Sequence, residues 1–118
     1  MQLPAEALPY AKKAAELQPS DTNVLDTYGW TLFLNKQYGE AAGTLLRAID
    51  IEGDRVPDKL KSADVRYHLG VLYKQQGKLE DAQAMLEAAS RLCESQDRRD
   101  ELPKKIATAL EEVGKSAQ

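Results

Sequence analysis

The sequence predicts an all-α fold, a solenoid built from antiparallel helix hairpins. Three observations carry that prediction. Alanine and leucine dominate the apolar set while valine and isoleucine are sparse, which favours helix over sheet. Apolar positions recur at helical spacing, as in Leu25, Tyr28, Gly29 and Leu32 and again in Ala41, Leu45, Ala48 and Ile51. Two glycines, in "LDTYGWTLF" and "RYHLGVLY", are followed by closely parallel series: Ala41 and Ala82, Leu45 and Leu86, Ala48 and Ala89, Ile51 and Leu92. Small and large residues recurring in one fixed order mark an internal repeat.

The elements follow in chain order. Residues 1–21 contain "EALPYAKKAAELQPSD", in which Ala7, Ala11, Ala14 and Pro19 stand 34 residues before Ala41, Leu45, Ala48 and Gly53, so this segment reads as the second helix of a partial repeat. Residues 22–55 form a first full repeat and residues 63–96 a second. In each, two apolar series are separated by a short polar turn, "NKQYGE" or "QQGKLED", of the length that joins antiparallel helices. Gly29 to Gly70 is 41 residues rather than 34, so seven residues are inserted, most simply "VPDKLKS" at 56–62. Pro57 suits a first helical turn, so the insert is expected to lengthen the helix carrying Gly70; Ser62 as an N-cap is the loop alternative. Residues 97–118 place Leu102, Ile106, Ala109, Leu110 and Val113 on one helical face, with Lys104, Lys105, Glu111 and Glu112 opposite. They read as a capping helix and tail, with Asp100 as N-cap, Pro103 in the first turn and Gly114 as the stop.

A glycine inside a helix costs about 1 kcal/mol relative to alanine. The expected compensation at Gly29 and Gly70 is close approach of the partner helix, small against small, with Ala41, Ala48, Ala82 and Ala89 opposite.

The 118 residues fit a single domain with a modest core, and 42% hydrophobic against 30% charged residues suit a folded rather than a disordered chain. A formal net charge of -3 with no basic block argues against a nucleic-acid partner. The apolar runs are too short to span a bilayer and "MQLPAEALPY" lacks the regions of a signal peptide, so no direct membrane insertion is expected. The reading is a soluble chain, cytoplasmic or periplasmic, and a C-terminal piece of a longer array. His68 and Cys93 are the only residues of their kinds and have no partners at metal-ligand spacing. His68 reads as a half-buried polar residue, Cys93 as a packed thiol and "DRRDE" (97–101) as a solvated turn or helix start. No catalytic residue, metal or cofactor is expected.

These residues resemble the tetratricopeptide repeat, a helix-turn-helix of 34 residues with the pattern W-x2-L-G-x2-Y, then A-x3-F, then an alanine and a proline. The pattern stands here as Leu25-x2-Tyr28-Gly29-x2-Leu32 with Ala41-x3-Leu45 and Ala48, and as Arg66-x2-Leu69-Gly70-x2-Tyr73 with Ala82-x3-Leu86 and Ala89. The usual large aromatic is replaced by Leu25 and Arg66, and the closing proline by Gly53 and Glu94. "DTYGW" and "YHLG" are also similar to tetratricopeptide proteins of bacterial envelope and exopolysaccharide systems.

The resemblance covers almost the whole chain and implies a right-handed superhelical solenoid that acts as a non-enzymatic protein-protein interaction module. It implies a concave groove lined by the first helix of each repeat, at Asn23, Asp26, Trp30 and Phe33 and at Asp64, Tyr67, Val71 and Lys74. Helical geometry supports the mapping, since 26, 30 and 33 form a stripe distinct from 25, 28, 29 and 32. Trp30 is then either an anchor for a partner peptide or helix, or core covered by neighbouring structure. A ligand held by its terminal carboxylate is disfavoured, because the positions that carry Lys, Arg and Asn in such members are Asp26, Trp30, Tyr67 and Val71 here. The alternative function, from another class, is a structural scaffold or self-association segment forming homo-oligomers within a larger array, as in an envelope or secretion assembly.

Overall fold

The computed structural model describes residues 3–116, in which there are six α-helices, one short 3-10 turn and no strand. The described residues fall into two compact units, one running to Gly53 and the other starting at Asp54.

The first unit holds α1 (Pro4–Leu17), α2 (Thr22–Leu34) and α3 (Tyr38–Glu52), with α2 packed against both neighbours. Pro4 opens α1 at a position where its missing N–H costs nothing. Asp21 caps α2, its carboxylate accepting from the N–H groups of Asn23 (3.0 Å) and Val24 (3.1 Å). Asn35 Nδ2 donates to the Pro4 carbonyl at 2.9 Å and to the Thr31 carbonyl at 2.8 Å, tying the start of α1 to the end of α2. Leu25, Leu32, Ala41, Leu45 and Ala48 are buried between the hairpin helices.

The second unit holds the 3-10 turn Asp58–Leu60, α4 (Ala63–Gln75), α5 (Leu79–Ser95) and α6 (Leu102–Ser116). Its core joins Leu86, Ala89, Leu92 and Cys93 of α5 to Leu102, Ile106, Ala109 and Val113 of α6. The predicted apolar face of α6 is thus the buried one, and Pro103 lies in its first turn.

Both hairpins close by the same device. The N–H of Gln37 reaches the Leu32 carbonyl at 2.9 Å, and the N–H of Lys78 reaches the Tyr73 carbonyl at 2.9 Å. The residue before each is left-handed: Lys36 at φ 63° and Gly77 at φ 77°. A left-handed residue followed by such a bond satisfies carbonyls that the helix end would leave open. The end of α5 repeats the device with Asp97 (φ 51°) and an Arg98 N–H to Cys93 carbonyl bond of 2.9 Å.

The structure alters five of the expectations. The helical glycines do admit close approach to Ala41 and Ala82, whose carbonyls would stand 3.6 Å and 3.4 Å from an added Cβ, but the side chains that enter are leucines. A Cβ at Gly29 would stand 2.7 Å from Leu45 Cγ and Cδ2, and one at Gly70 would stand 2.7 Å from Leu86 Cγ and 2.8 Å from Leu86 Cδ2. Each glycine is a notch for a leucine knob. The insert does not lengthen α4: Ser62 Oγ accepts from the Val65 N–H at 3.1 Å and fixes the helix start at Ala63, while Pro57 (φ -66°, ψ 154°) leads into the 3-10 turn. Gln96 Nε2 holds that turn by donating to the carbonyls of Asp58 (2.9 Å) and Lys61 (2.7 Å). At α6 the first helical bond runs from the Lys105 N–H to the Glu101 carbonyl, one residue past Asp100, whose carboxylate is shared between Arg98 and the Leu102 N–H. Gly114 does not stop α6, which continues to Ser116; it lies in open space with no left-handed φ, so nothing there forces an end. The polar turns are also shorter than "NKQYGE" and "QQGKLED", since α3 already starts at Tyr38 and α5 at Leu79.

Candidate functional site

The second unit presents a cleft of about 390 Å³ between α4 and α6, lined from α4 by Tyr67, Val71 and Lys74. The three lie at i, i+4 and i+7 on α4, on a stripe separate from the buried Leu69, Gly70 and Leu72. From the α6 side come Glu101, Lys104, Lys105, Thr108, Ala109 and Glu112. Val71, Ala109 and the Tyr67 ring make an apolar floor, and charges of both signs make the rim.

One ion pair crosses the rim, and two more beside it share Arg98. Lys74 Nζ donates to Glu112 Oε2 across the cleft, and that bond holds the Glu112 carboxyl below the usual glutamate range. Arg98 joins Asp64 at the start of α4 (3.2 Å) to Asp100 before α6 (2.5 Å and 3.2 Å). The hydrogen bonds from Arg98 lower the Asp100 carboxyl. Burial pushes the Tyr67 hydroxyl above its ordinary value, and the Glu112 charge pushes the same way, so Tyr67 is a neutral hydrogen-bonding group at neutral pH.

In the first unit, Trp30 and Phe33 stack with ring centres 4.8 Å apart, and Phe33 meets Tyr38 at 5.6 Å. Both are half-buried. Asn23 lies elsewhere, in a cleft between α1 and α2, and Asp26 lines neither cleft. Of the eight predicted groove residues, then, Tyr67, Val71 and Lys74 share one cleft, Asp64 is taken up by Arg98, Trp30 and Phe33 form an aromatic pair, and Asn23 and Asp26 lie on the helix that carries that pair.

Sequence reasoning missed the α6 side of the cleft and the role of Arg98. A signal existed. Continuing the 34-residue phase past residue 96 puts the four groove positions at Arg98, Glu101, Lys105 and Thr108. The last three line the cleft and the first pairs with Asp64.

His68 is half-buried beside the Tyr67 ring at 5.6 Å. Cys93 is buried, and that burial pushes its thiol up. Among the described residues no group of three or more His, Cys, Asp or Glu side chains could hold a metal ion, and no helix is long and apolar enough to cross a membrane.

Comparison with curated proteins returned no match. A family model described as tetratricopeptide repeat matches residues 21–95, from the cap of α2 to the end of α5. With its paired hairpins, twin glycine notches and matching turns, the chain belongs to the tetratricopeptide repeat family.

Proposed function

We propose that this chain is a non-enzymatic docking module that holds a peptide or helix of a partner protein, with the cleft between α4 and α6 as its principal contact surface. Tetratricopeptide repeats in general mediate protein-protein interaction. The observation that carries the finer reading is the cleft itself, where Tyr67, Val71 and Lys74 of the expected groove stripe converge on an apolar floor. Its size suits one or two side chains of a partner. Lys104 and Lys105 are exposed at the edge, so the segment that fits best combines an apolar side chain for the floor with an acidic one for the lysines. This chemistry differs from terminal-carboxylate capture, because it needs no clamp at Asp26 or Trp30.

The test is selection of random phage-displayed peptides on the immobilised chain, followed by titration of the synthetic winners. Enrichment of acidic-apolar sequences is expected, with affinity lost in Val71→Arg and about three- to tenfold weaker in Lys104→Glu or Lys105→Glu. Winners indifferent to Val71→Arg would place the binding surface elsewhere. In the first unit, Trp30 and Phe33 are the proposed aromatic anchors, with Asn23 and Asp26 as polar neighbours. Acrylamide quenching of Trp30 reads this directly: strong quenching supports an anchor, and protection assigns the ring to the interior.

A further inference from the structure

The cleft between α4 and α6 is flanked at its two ends by charges in opposite order. Near the start of both helices α4 supplies the carboxylate, Asp64, and Arg98 the cation; near their far ends α4 supplies the cation, Lys74, and α6 the carboxylate, Glu112. Start meets start and end meets end, so the two helices run in the same direction with the cleft between them. Asp64 and Lys74 are ten residues apart on α4, about 15 Å of helix.

The two ends are held unequally. Arg98 forks between two carboxylates, reaching Asp64 at 3.2 Å and Asp100 at 2.5 Å and 3.2 Å, and its own N–H is bound to the Cys93 carbonyl at 2.9 Å. Several bonds must break together for that end to open. At the other end, among the described residues, a single bond joins Lys74 Nζ to Glu112 Oε2, and the Glu112 side chain is 51% exposed. An exposed pair of this kind is weak. Lys115 stands three residues further along α6, near enough for its charge to act on Glu112. A Glu112 side chain that leaves Lys74 therefore meets a second cation on its own helix, at the i, i+3 spacing that brings side chains together.

Lys74 is the best placed of the three cations in the cleft. Lys104 and Lys105 are exposed at the edge, whereas Lys74 is half-buried, one turn from Val71 on the stripe that makes the floor. A charge partly withdrawn from water and salt discriminates more strongly between a carboxylate and a neutral group. In the arrangement seen here that charge is occupied by Glu112. We propose, building on the reading of this cleft as a peptide site, that Glu112 is an internal competitor for Lys74: an acidic side chain of the bound segment displaces it towards Lys115 and takes its place. This latch makes Lys74 the residue that selects acidic over neutral segments. The apolar side chain of the same segment lies one helical turn away, about 5 Å, over Val71 and Ala109.

The probes are the tightest acidic-apolar peptide from the phage selection and its copy with every Asp and Glu changed to Asn and Gln, titrated into the full chain by calorimetry. Glu112→Gln is expected to tighten the acidic peptide about threefold and to leave the weaker binding of the amide copy unchanged. Lys74→Met should weaken the acidic peptide about tenfold. In the double variant the gain from Glu112→Gln should vanish, because the competitor acts only through the lysine it covers. Neither position is buried, and circular dichroism checks that the variants fold. A gain of the same size with Lys74→Met in place, or with the amide copy, reduces Glu112 to general repulsion and overturns the latch, as does no gain at all. Failure of the site reads differently. A peptide indifferent to Val71→Arg, or a selection that enriches none, overturns the docking reading and the latch with it.

Discussion

The hairpins α2–α3 and α4–α5 share few residues, yet they agree wherever packing decides and differ wherever only the local backbone decides. Both put leucine into a glycine notch, where an added Cβ would stand only 2.7 Å from it, and both close with the same backbone bond. The left-handed residue of the turn is Lys36 in one and Gly77 in the other, and the cap is Asp21 or Ser62. The approach to the second hairpin is longer by a seven-residue insert, which leaves α2 and α4 equal at 13 residues each. A buried contact tolerates one solution, whereas a cap or a turn accepts any residue that supplies an acceptor or bears a positive φ at modest cost.

Filling the notches should have the largest effect. Gly29→Leu and Gly70→Leu should each destabilise their hairpin by about 3 kcal/mol, read by urea unfolding, because the helices cannot separate without losing the knob contacts. Nearly equal losses are expected, and an unchanged midpoint in either variant would remove the notch as the reason for the glycine. Next come the caps, where Asp21→Ala and Ser62→Ala should each cost about 1 kcal/mol. The turns should move in opposite directions: Gly77→Ala loses about 1 kcal/mol to left-handed strain, while Lys36→Gly gains about 0.5 kcal/mol by relieving it. Gly43 has open space around it and Ala84 at the matching place in α5, so Gly43→Ala should stabilise by somewhat under 1 kcal/mol. The smallest effect is electrostatic. Lys74 lowers the folded-state value of the Glu112 carboxyl, so the pair's contribution is complete above the ordinary glutamate range and is lost as pH falls through the lowered value. An NMR titration should find Glu112 below an ordinary glutamate, and Lys74→Gln should return it.

Helix identity and the notches were legible in the sequence because spacing and residue size act locally and repeat. The partner of each notch was not, since whether Leu45 or Ala41 faces Gly29 depends on the rotation of α3, which periodicity leaves open by a fraction of a turn. The insert was misread because Pro57 and Ser62 are both start signals, and a hydrogen bond to Val65 decides between them. The apolar face of α6 was readable from its own pattern. The cleft on its other side was not, since Lys74 and Glu112 are 38 residues apart and meet only when α6 packs on α5. Arg98 was hidden in the mixed charges of "DRRDE" for the same reason: its partner Asp64 lies a whole repeat away.

Cys93 gives the second unit a built-in clock. It is the chain's single thiol, it is 4% exposed between α5 and α6, and burial holds it in the protonated, unreactive form. Modification by a disulfide reagent is therefore slow while α5 and α6 stay packed and faster when they part, so the labelling rate in native buffer rises with their opening. A bound peptide bridging α4 and α6 would slow that rate, which turns an inert side chain into a reporter of ligands that the cleft accepts.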